Sequence, residues 1–110
     1  MTTTAASTAA IQATIDRAGE VRRGQGRHIE MAHLADQLAL HIGQMMPAAR
    51  RAVEELWHGD PRWYSLRSRL DGIEYQAARG LGDGVLAAHV ELGLLAADAA
   101  WLLARYGPTE

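Results

Sequence analysis

The segment Val85–Tyr106, VLAAHVELGLLAADAAWLLARY, decides the fold of this chain. Its charged side chains, Glu91, Asp98 and Arg105, follow one another at intervals of seven residues. Seven residues make about two turns of an α-helix, so these charges lie on one narrow stripe, which we expect to face solvent. The rest of the helix surface is apolar. Such a helix must be covered on most sides, by its own domain or by a second chain.

The composition of the whole chain also indicates a small helical domain. Its 110 residues are enough for one domain with a hydrophobic core, and 48% of them are hydrophobic, which excludes a disordered chain. Leu, Ala, Ile, Val and Met dominate and there is no Phe, which favours helix over sheet. The chain has no Cys, so disulfides, thiol catalysis and Cys-ligated metals are excluded.

Glycine and proline residues divide the remaining sequence into helices. Thr8 can cap a short helix that runs to about Arg23 and ends at residues 24–26. Helical spacing of apolar residues then continues over residues 27–58, with Pro47 inside this run. Because the apolar stripe keeps its phase across the proline, the pattern favours a kink over a break.

The clearest boundary in the chain is His58-Gly59-Asp60-Pro61. Gly59 suits the left-handed position after a helix end, Asp60 suits an N-cap, and Pro61 suits the first turn of the next helix. That helix is predicted to end at Arg79, before a glycine.

Together these segments predict an all-α fold. We expect an antiparallel up-down helical bundle of three long helices plus a shorter N-terminal helix, because short loops place consecutive helices side by side. Residues 1–7 are predicted to form a flexible tail, and residues 8–110 a single bundle domain. Asp83 is predicted to cap the last helix.

Two Glu-x-x-His pairs, Glu30 with His33 and Glu55 with His58, raise the question of a metal site. Helical di-iron proteins use such pairs as ligands. Here the pairs lie about 37 Å apart if they share one helix, and both histidines point away from its apolar stripe. We therefore predict solvated side chains, no metal and no cofactor.

Four residues are candidate ligand contacts for a small-molecule site between the helices. His41 lies at the border of an apolar stripe. His89 lies nearly opposite the charged stripe, so we expect it in the core, at an oligomer interface or against a ligand. Tyr75 and Trp101 would add aromatic contacts. No catalytic constellation can be assembled, so no catalytic residue is predicted.

A second set of residues lies outside the predicted core seams and is predicted to form interfaces, where Tyr and other aromatic residues are favoured. These residues are Leu86, Gly93, Leu94, Trp101, Tyr64 and Tyr75.

Charge and targeting signals limit the partners and the location. The formal net charge of -2 and the lack of a polar recognition helix exclude nucleic acid as an expected partner. Glu91 and Asp98 near the middle of the last helix argue against a membrane span. No signal peptide is visible, so we expect a cytoplasmic protein with no membrane contact.

Several segments resemble a family of small actinobacterial helical proteins of unassigned function. These are ATIDRA at residues 13–18, LALHIG at 38–43 followed by Met46-Pro47, and the last helix with its Arg105-Tyr106 end. The resemblance covers most of the chain and rests on helical core patterns. Members of that group are often encoded beside regulators or specialised-metabolite genes. The resemblance implies no site residue.

The sequence therefore predicts a non-enzymatic interaction module that self-associates, as a homodimer or larger oligomer, mainly through the last helix. It also predicts a protein partner, in regulation or specialised metabolism. The alternative is a small-molecule-binding accessory protein, or a minimal enzyme with a site between helices.

Overall fold

The computed structural model describes residues 7–25, 28–82 and 84–108, and in them the chain forms four α-helices. These helices are α1 (Thr8–Glu20), α2 (His28–Glu54), α3 (Pro61–Arg79) and α4 (Val85–Tyr106). The described residues contain no strand, so the predicted all-α bundle is confirmed. The predicted flexible tail, apart from Ser7, and the predicted cap Asp83 lie outside the described residues.

Helices α2 and α4 form the centre of the bundle, and α1 packs against both of them. Helix α1 runs antiparallel to α4. Thr8 Oγ1 donates to the Pro108 carbonyl at one end (3.1 Å), and Arg22 Nε donates to the His89 carbonyl near the other (3.1 Å). Helix α3 packs mainly against α2 and contacts α4 only lightly. The largest fully buried side chains are Ile11, Val21, Met31, Leu38, Ile42, Leu70, Leu92, Leu95 and Leu102.

The cap of α1 differs from the prediction. The Ser7 hydroxyl accepts a hydrogen bond from the Ala10 backbone N–H (3.2 Å), and Ser7 has extended backbone angles, so Ser7 is the N-cap and Thr8 is already helical. In the segment Val21–Gln25 that follows α1, the backbone leaves the helical conformation at Arg23 and Gly24. Within it Gly24 has a φ of 98°, in the left-handed region that favours glycine. The predicted end of this helix at residues 24–26 is confirmed at Gly24, and Gly26 lies outside the described residues.

Helix α2 continues through Pro47, so a break at this proline is excluded. A proline ring inside a helix crowds the carbonyl four positions earlier. That carbonyl belongs to Gly43, whose backbone adapts more readily than that of any other residue. The helix ends at Glu54, earlier than the predicted end at His58.

The turn between α2 and α3 confirms two of the three predictions made for it. The Asp60 carboxylate accepts from the Arg62 backbone N–H (2.9 Å), and Pro61 occupies the first helical position. The prediction of a left-handed Gly59 is wrong. The Trp57 ring lies where a Cβ on Gly59 would be, but Trp57 is 77% exposed and its ring is free to move aside.

One side of α4, its core row, faces the centre of the bundle. The row consists of Ala88, Leu92, Leu95, Ala99 and Leu102, which are all buried. Val85 continues this row toward the N-terminus of α4 but is exposed, because it stands in the first turn, where the helix begins beside a loop.

We predict that Leu92→Ala destabilises the bundle by about 2–5 kcal/mol, because it leaves a cavity in the centre of the core. Urea unfolding measures this free energy. Leu40→Ala is the matched control: Leu40 is 60% exposed on α2, so its truncation should change stability by no more than about 0.5 kcal/mol. Equal small losses in the two variants would contradict the position of α4 in the core.

Candidate functional site

Helix α4 carries an exposed apolar row on the side away from its core row. This row, termed the α4 face, consists of Leu86, Val90, Leu94, Ala97, Ala100 and Ala104. Its large members are 79%, 53% and 47% exposed, in chain order. At about 100° per residue, the six side chains cover roughly a third of the helix circumference. No charged residue of α4 lies among them, but Gly93 and Trp101 share the same sector and are contacted by arginine side chains, Gly93 by Arg22 and Trp101 by Arg69 and Arg105.

The exposure of the α4 face is unusual for a helix of this composition. The mean hydropathy of its most apolar 18-residue window is 1.5, yet only 28% of that window is buried. By length and composition α4 could cross a membrane, which is weak evidence, because the core helix of a soluble protein passes the same test. Such a core helix is mostly buried, whereas α4 is not. Extended exposed apolar patches mark sites of interaction.

The charged stripe of α4 faces α3 and the loop before α4, which corrects the prediction of a solvated stripe. The Gly82 backbone N–H donates to the Glu91 carboxylate. Asp98 pairs with Arg69 of α3 at 3.6 Å. The charges therefore serve contacts within the chain, and the apolar side of α4 is the one left open.

A cluster around Trp101 fastens α3 to the C-terminal half of α4. The Arg69 guanidinium lies 4.8 Å from the centroid of the Trp101 ring, and the Arg105 guanidinium lies 5.2 Å from it. Tyr106 packs edge-on against the same ring at 5.9 Å. Burial raises the pKa of the neighbouring Asp98 above its usual value, and the positive charge of Arg69 acts in the opposite direction. Trp101 is thus half-buried by contacts within the chain.

Gly93 and His89, on the other flank of the α4 face, also make contacts within the chain. The Arg22 guanidinium lies so close to α4 that a Cβ on Gly93 would be 2.6 Å from its Cζ atom. The same side chain donates to the His89 carbonyl. The absence of a side chain at Gly93 therefore lets Arg22 lie flat on the helix, and His89 is half-buried beside it.

His41 joins α2 to α1. Its side chain is only 8% exposed, and its Nε2 lies 3.1 Å from Thr14 Oγ1. Because the Thr14 hydroxyl donates its proton to the Ala10 carbonyl (3.1 Å), we assign the proton of this contact to His41 Nε2. His41 Nδ1 has no hydrogen-bond partner among the described residues.

Tyr64 and Tyr75 both lie exposed on α3, away from its core side, as their phase in the sequence indicates. Tyr64 packs edge-on against Trp63 at 5.2 Å, and the Arg79 guanidinium lies 5.9 Å from the centroid of the Tyr75 ring. Neither tyrosine belongs to the helix that carries the α4 face.

A half-open pocket lies where the N-terminal part of α1, the middle of α2 and the end of α4 meet. Its volume is about 280 Å³, and its lining residues are Ile11, Gln44, Met45, Ala48, Tyr106, Gly107 and Pro108. None of the four candidate ligand contacts lines it. The sequence did not predict this pocket, because it forms only where three helices meet, and the periodicity within one helix does not show such a meeting point.

The histidines of the two Glu-x-x-His pairs are exposed and lie in different surroundings. Glu30 pairs with Arg17 at 2.6 Å. His58 Nε2 lies 3.3 Å from Glu54, and its ring stacks on Trp63 with a centroid distance of 4.3 Å. Among the described residues no group of three or more potential metal ligands is present.

Comparison with known proteins gives one family. The model of a family of unknown function, DUF6415, matches residues 9–110. The chain belongs to the DUF6415 family. No curated protein and no solved structure matches it. Membership of DUF6415 assigns no activity, so a proposal of function has to start from the exposed α4 face.

Sequence reasoning found Leu86 and Leu94 but missed Val90 and the three alanines of the α4 face. The spacing of four residues from Leu86 to Val90 to Leu94 was the available signal. The alanines carry no such signal, since alanine is common on every side of a helix.

We predict that Asp98→Asn gains stability relative to the natural chain as the pH rises from about 4 to 7. A raised pKa means that the folded state holds the Asp98 proton where the unfolded state, with a pKa of ~3.9, has lost it. Burial of the charge therefore lowers stability as the pH rises through this window, and asparagine carries no such charge. Urea unfolding at several pH values measures the difference.

Asp60→Asn is the control with the opposite sign. The Arg62 side chain and backbone N–H lower the pKa of Asp60. The Asp60 carboxylate therefore stabilises the fold at neutral pH, and this stability is lost as the pH falls below the ordinary carboxyl range. The loss of unfolding free energy in Asp60→Asn, relative to the natural chain, should therefore be largest near pH 7. A pH-independent difference between Asp98→Asn and the natural chain would refute the burial of that carboxylate.

Proposed function

We propose that this DUF6415 protein is a non-enzymatic interaction module that self-associates as a homodimer through the α4 face. The observation that supports this proposal is the exposure of one whole side of the most apolar helix. Removing apolar surface from water yields about 25 cal/mol per Å². Homodimer interfaces are also more apolar than ordinary protein surface. The six side chains that form the α4 face are all apolar.

The area of the α4 face determines how tight a dimer is expected. From Leu86 to Ala104 it is about 27 Å long, and a helix is ~10 Å wide, so the face presents roughly 300 Å². Stable interfaces bury about 800 Å² on each partner. The α4 face supplies less than half of this area, with the remainder to come from its flanks. We therefore expect a reversible dimer that dissociates on dilution.

We predict that Leu94→Glu weakens dimerisation at least tenfold, because a charge in the middle of the face would be buried without a partner. Sedimentation equilibrium over a range of concentrations measures the dissociation constant. Leu40→Glu places the same charge on a comparably exposed leucine of α2 and should leave dimerisation unchanged. A natural chain that stays monomeric at millimolar concentration would contradict the proposal.

We also propose a cytoplasmic location without membrane contact. The C-terminal half of the α4 face consists of Ala97, Ala100 and Ala104, which offer a bilayer little apolar area to bury. Flotation with neutral and anionic vesicles tests this point. The protein should stay in the lipid-free fraction, and flotation with neutral vesicles would overturn it.

The cellular setting that we propose is regulation or specialised metabolism in an actinobacterium, with a protein partner. The resemblance to small actinobacterial helical proteins supports this setting. Co-purification from the organism that encodes the chain, with Leu94→Glu beside the natural sequence, tests whether a partner is retained and whether it needs the α4 face.

A second candidate function is binding of a small, mainly apolar molecule in the pocket beside α1, and the observation that favours it is the pocket itself. Its volume of about 280 Å³ is close to the lower end of the range of ligand sites, about 300 Å³. We predict that small aromatic fragments shift the NMR methyl signals of Ile11 and Met45. Ala48→Trp should abolish these shifts by filling the pocket, whereas Leu40→Trp should retain them. Fragments that leave both methyl signals unchanged would exclude this function.

A further inference from the structure

Two arginine side chains border the α4 face, one on each flank. Arg22, from the segment after α1, donates to the His89 carbonyl (3.1 Å) and lies against Gly93. On the flank nearer to α3, the Arg105 guanidinium lies 5.2 Å from the centroid of the Trp101 ring. Both arginines are exposed. The six apolar side chains of the α4 face are therefore bordered by positive charge on both flanks.

The two arginines also lie at different heights along α4. Gly93, under Arg22, and Trp101, under Arg105, are separated by eight positions in the sequence, which is about 12 Å along a helix axis. At about 100° per residue, Arg105 stands ~120° around the helix from Gly93. A helix that lies along the α4 face therefore has Arg22 on one side and, at least two turns further along, Arg105 on the other side.

The charges of these two arginines are not neutralised within the described part of the chain. The ion pairs found there include neither Arg22 nor Arg105. Asp98 lies on the same side of α4 as Arg105, but it contacts Arg69 at 3.6 Å. A surface that is apolar in the middle and positive on both flanks is complementary to one that is apolar in the middle and negative on both flanks.

An amphipathic helix with acidic flanks has this complementary form. Its apolar row, with intervals of three and four residues, packs on the α4 face as in helix-in-groove recognition. The positions beside that row correspond to e and g of a coiled coil, and Asp or Glu at these positions reaches Arg22 and Arg105. Arginine suits carboxylate partners, because its planar fork of N–H donors can contact both carboxylate oxygens at once.

We propose that the α4 face also receives an amphipathic helix of a protein partner, whose apolar row is flanked by acidic side chains that pair with Arg22 and Arg105. This inference goes beyond the proposed self-association, with which it shares the α4 face, and it names the chemistry of the partner. A second copy and the acidic helix compete for the same six side chains. The reversible homodimer is displaced by a partner that adds two charge-assisted contacts to the apolar contact.

Three synthetic helical peptides of equal length test this proposal. Each carries leucine at intervals of three and four residues, and the positions beside that row are all glutamate, all glutamine or all lysine. Titration calorimetry at low ionic strength measures their binding to the natural chain. The glutamate peptide should bind at least tenfold more tightly than the lysine peptide, and added salt should reduce this difference by screening the charges. Equal affinities of the three peptides, or no binding, overturn the proposal.

The net charge of the protein makes this comparison selective. The chain carries a formal net charge of -2, so attraction by the whole molecule favours the lysine peptide. A preference for the glutamate peptide therefore reports the local charge beside the α4 face. Because this measurement uses the natural chain, it does not depend on whether any variant folds.

Single substitutions assign the preference to the two flanks. Arg22→Gln and Arg105→Gln should each weaken binding of the glutamate peptide about two- to fivefold, as expected for an exposed ion pair, and leave the glutamine peptide unchanged. Arg51→Gln is the matched control, because Arg51 is exposed on the side of α2 that carries Leu40, and it should leave all affinities unchanged. Equal losses for the glutamate and glutamine peptides would contradict an ionic role of the two arginines.

Failure of this inference is distinguishable from failure of the proposed function. A natural chain that sediments as a monomer refutes self-association, and the peptide titration still decides whether the acidic helix binds. A chain that dimerises, but binds the glutamate peptide no better than the lysine peptide, keeps the proposed function and refutes the acidic partner. In the supporting outcome the glutamate peptide lowers the dimer fraction, and Leu94→Glu abolishes its binding. Flotation with anionic vesicles that is lost in Arg22→Gln would assign the flanks to a lipid surface and overturn the proposal.

Discussion

Packing of the α4 core row against α2 is the interaction on which the rest of the structure depends. The core row supplies Leu92, Leu95 and Leu102 to the centre of the bundle, all of them fully buried. Helix α1 covers the neighbouring groove and is held at both ends, by Thr8 near the C-terminal end of α4 and by Arg22 in its N-terminal half. With one side of α4 fixed in the core, the composition of its other sides determines what the molecule exposes.

The position of α3 explains why an apolar side of α4 is open. In a closed four-helix bundle each helix packs against two neighbours, and α3 would lie against both α2 and α4. Here α3 packs mainly against α2, and it is joined to α4 by polar and cation–π contacts of Arg69 with Asp98 and Trp101. The contact with Asp98 lies on the charged stripe and the contact with Trp101 lies beside it, so α3 runs along one flank of the α4 face and leaves the six apolar side chains exposed.

Local signals in the sequence were sufficient to predict the helices, but they did not show which helix faces pack against each other. Asp60, Pro61 and Gly80 act on their own backbone neighbourhood, so the bounds of α3 could be predicted to the residue. The N-cap of α1 could not be predicted in this way, because the hydroxyls of Ser7 and Thr8 both suit an N-cap and only the backbone angles distinguish them. The direction of the charged stripe depends on where α3 lies, which no local pattern encodes. The pocket at the end of α4 likewise depends on three elements meeting.

The exposure of the α4 face favours a covering surface without selecting which one. The hydrophobic effect has no direction, so an exposed apolar side implies only that covering it is favourable. Close packing is selective, because the side chains of an occupant must fill the spaces between those of the face. A second copy brings the same apolar row to the contact by symmetry alone, whereas an unrelated partner has to supply a matching surface independently.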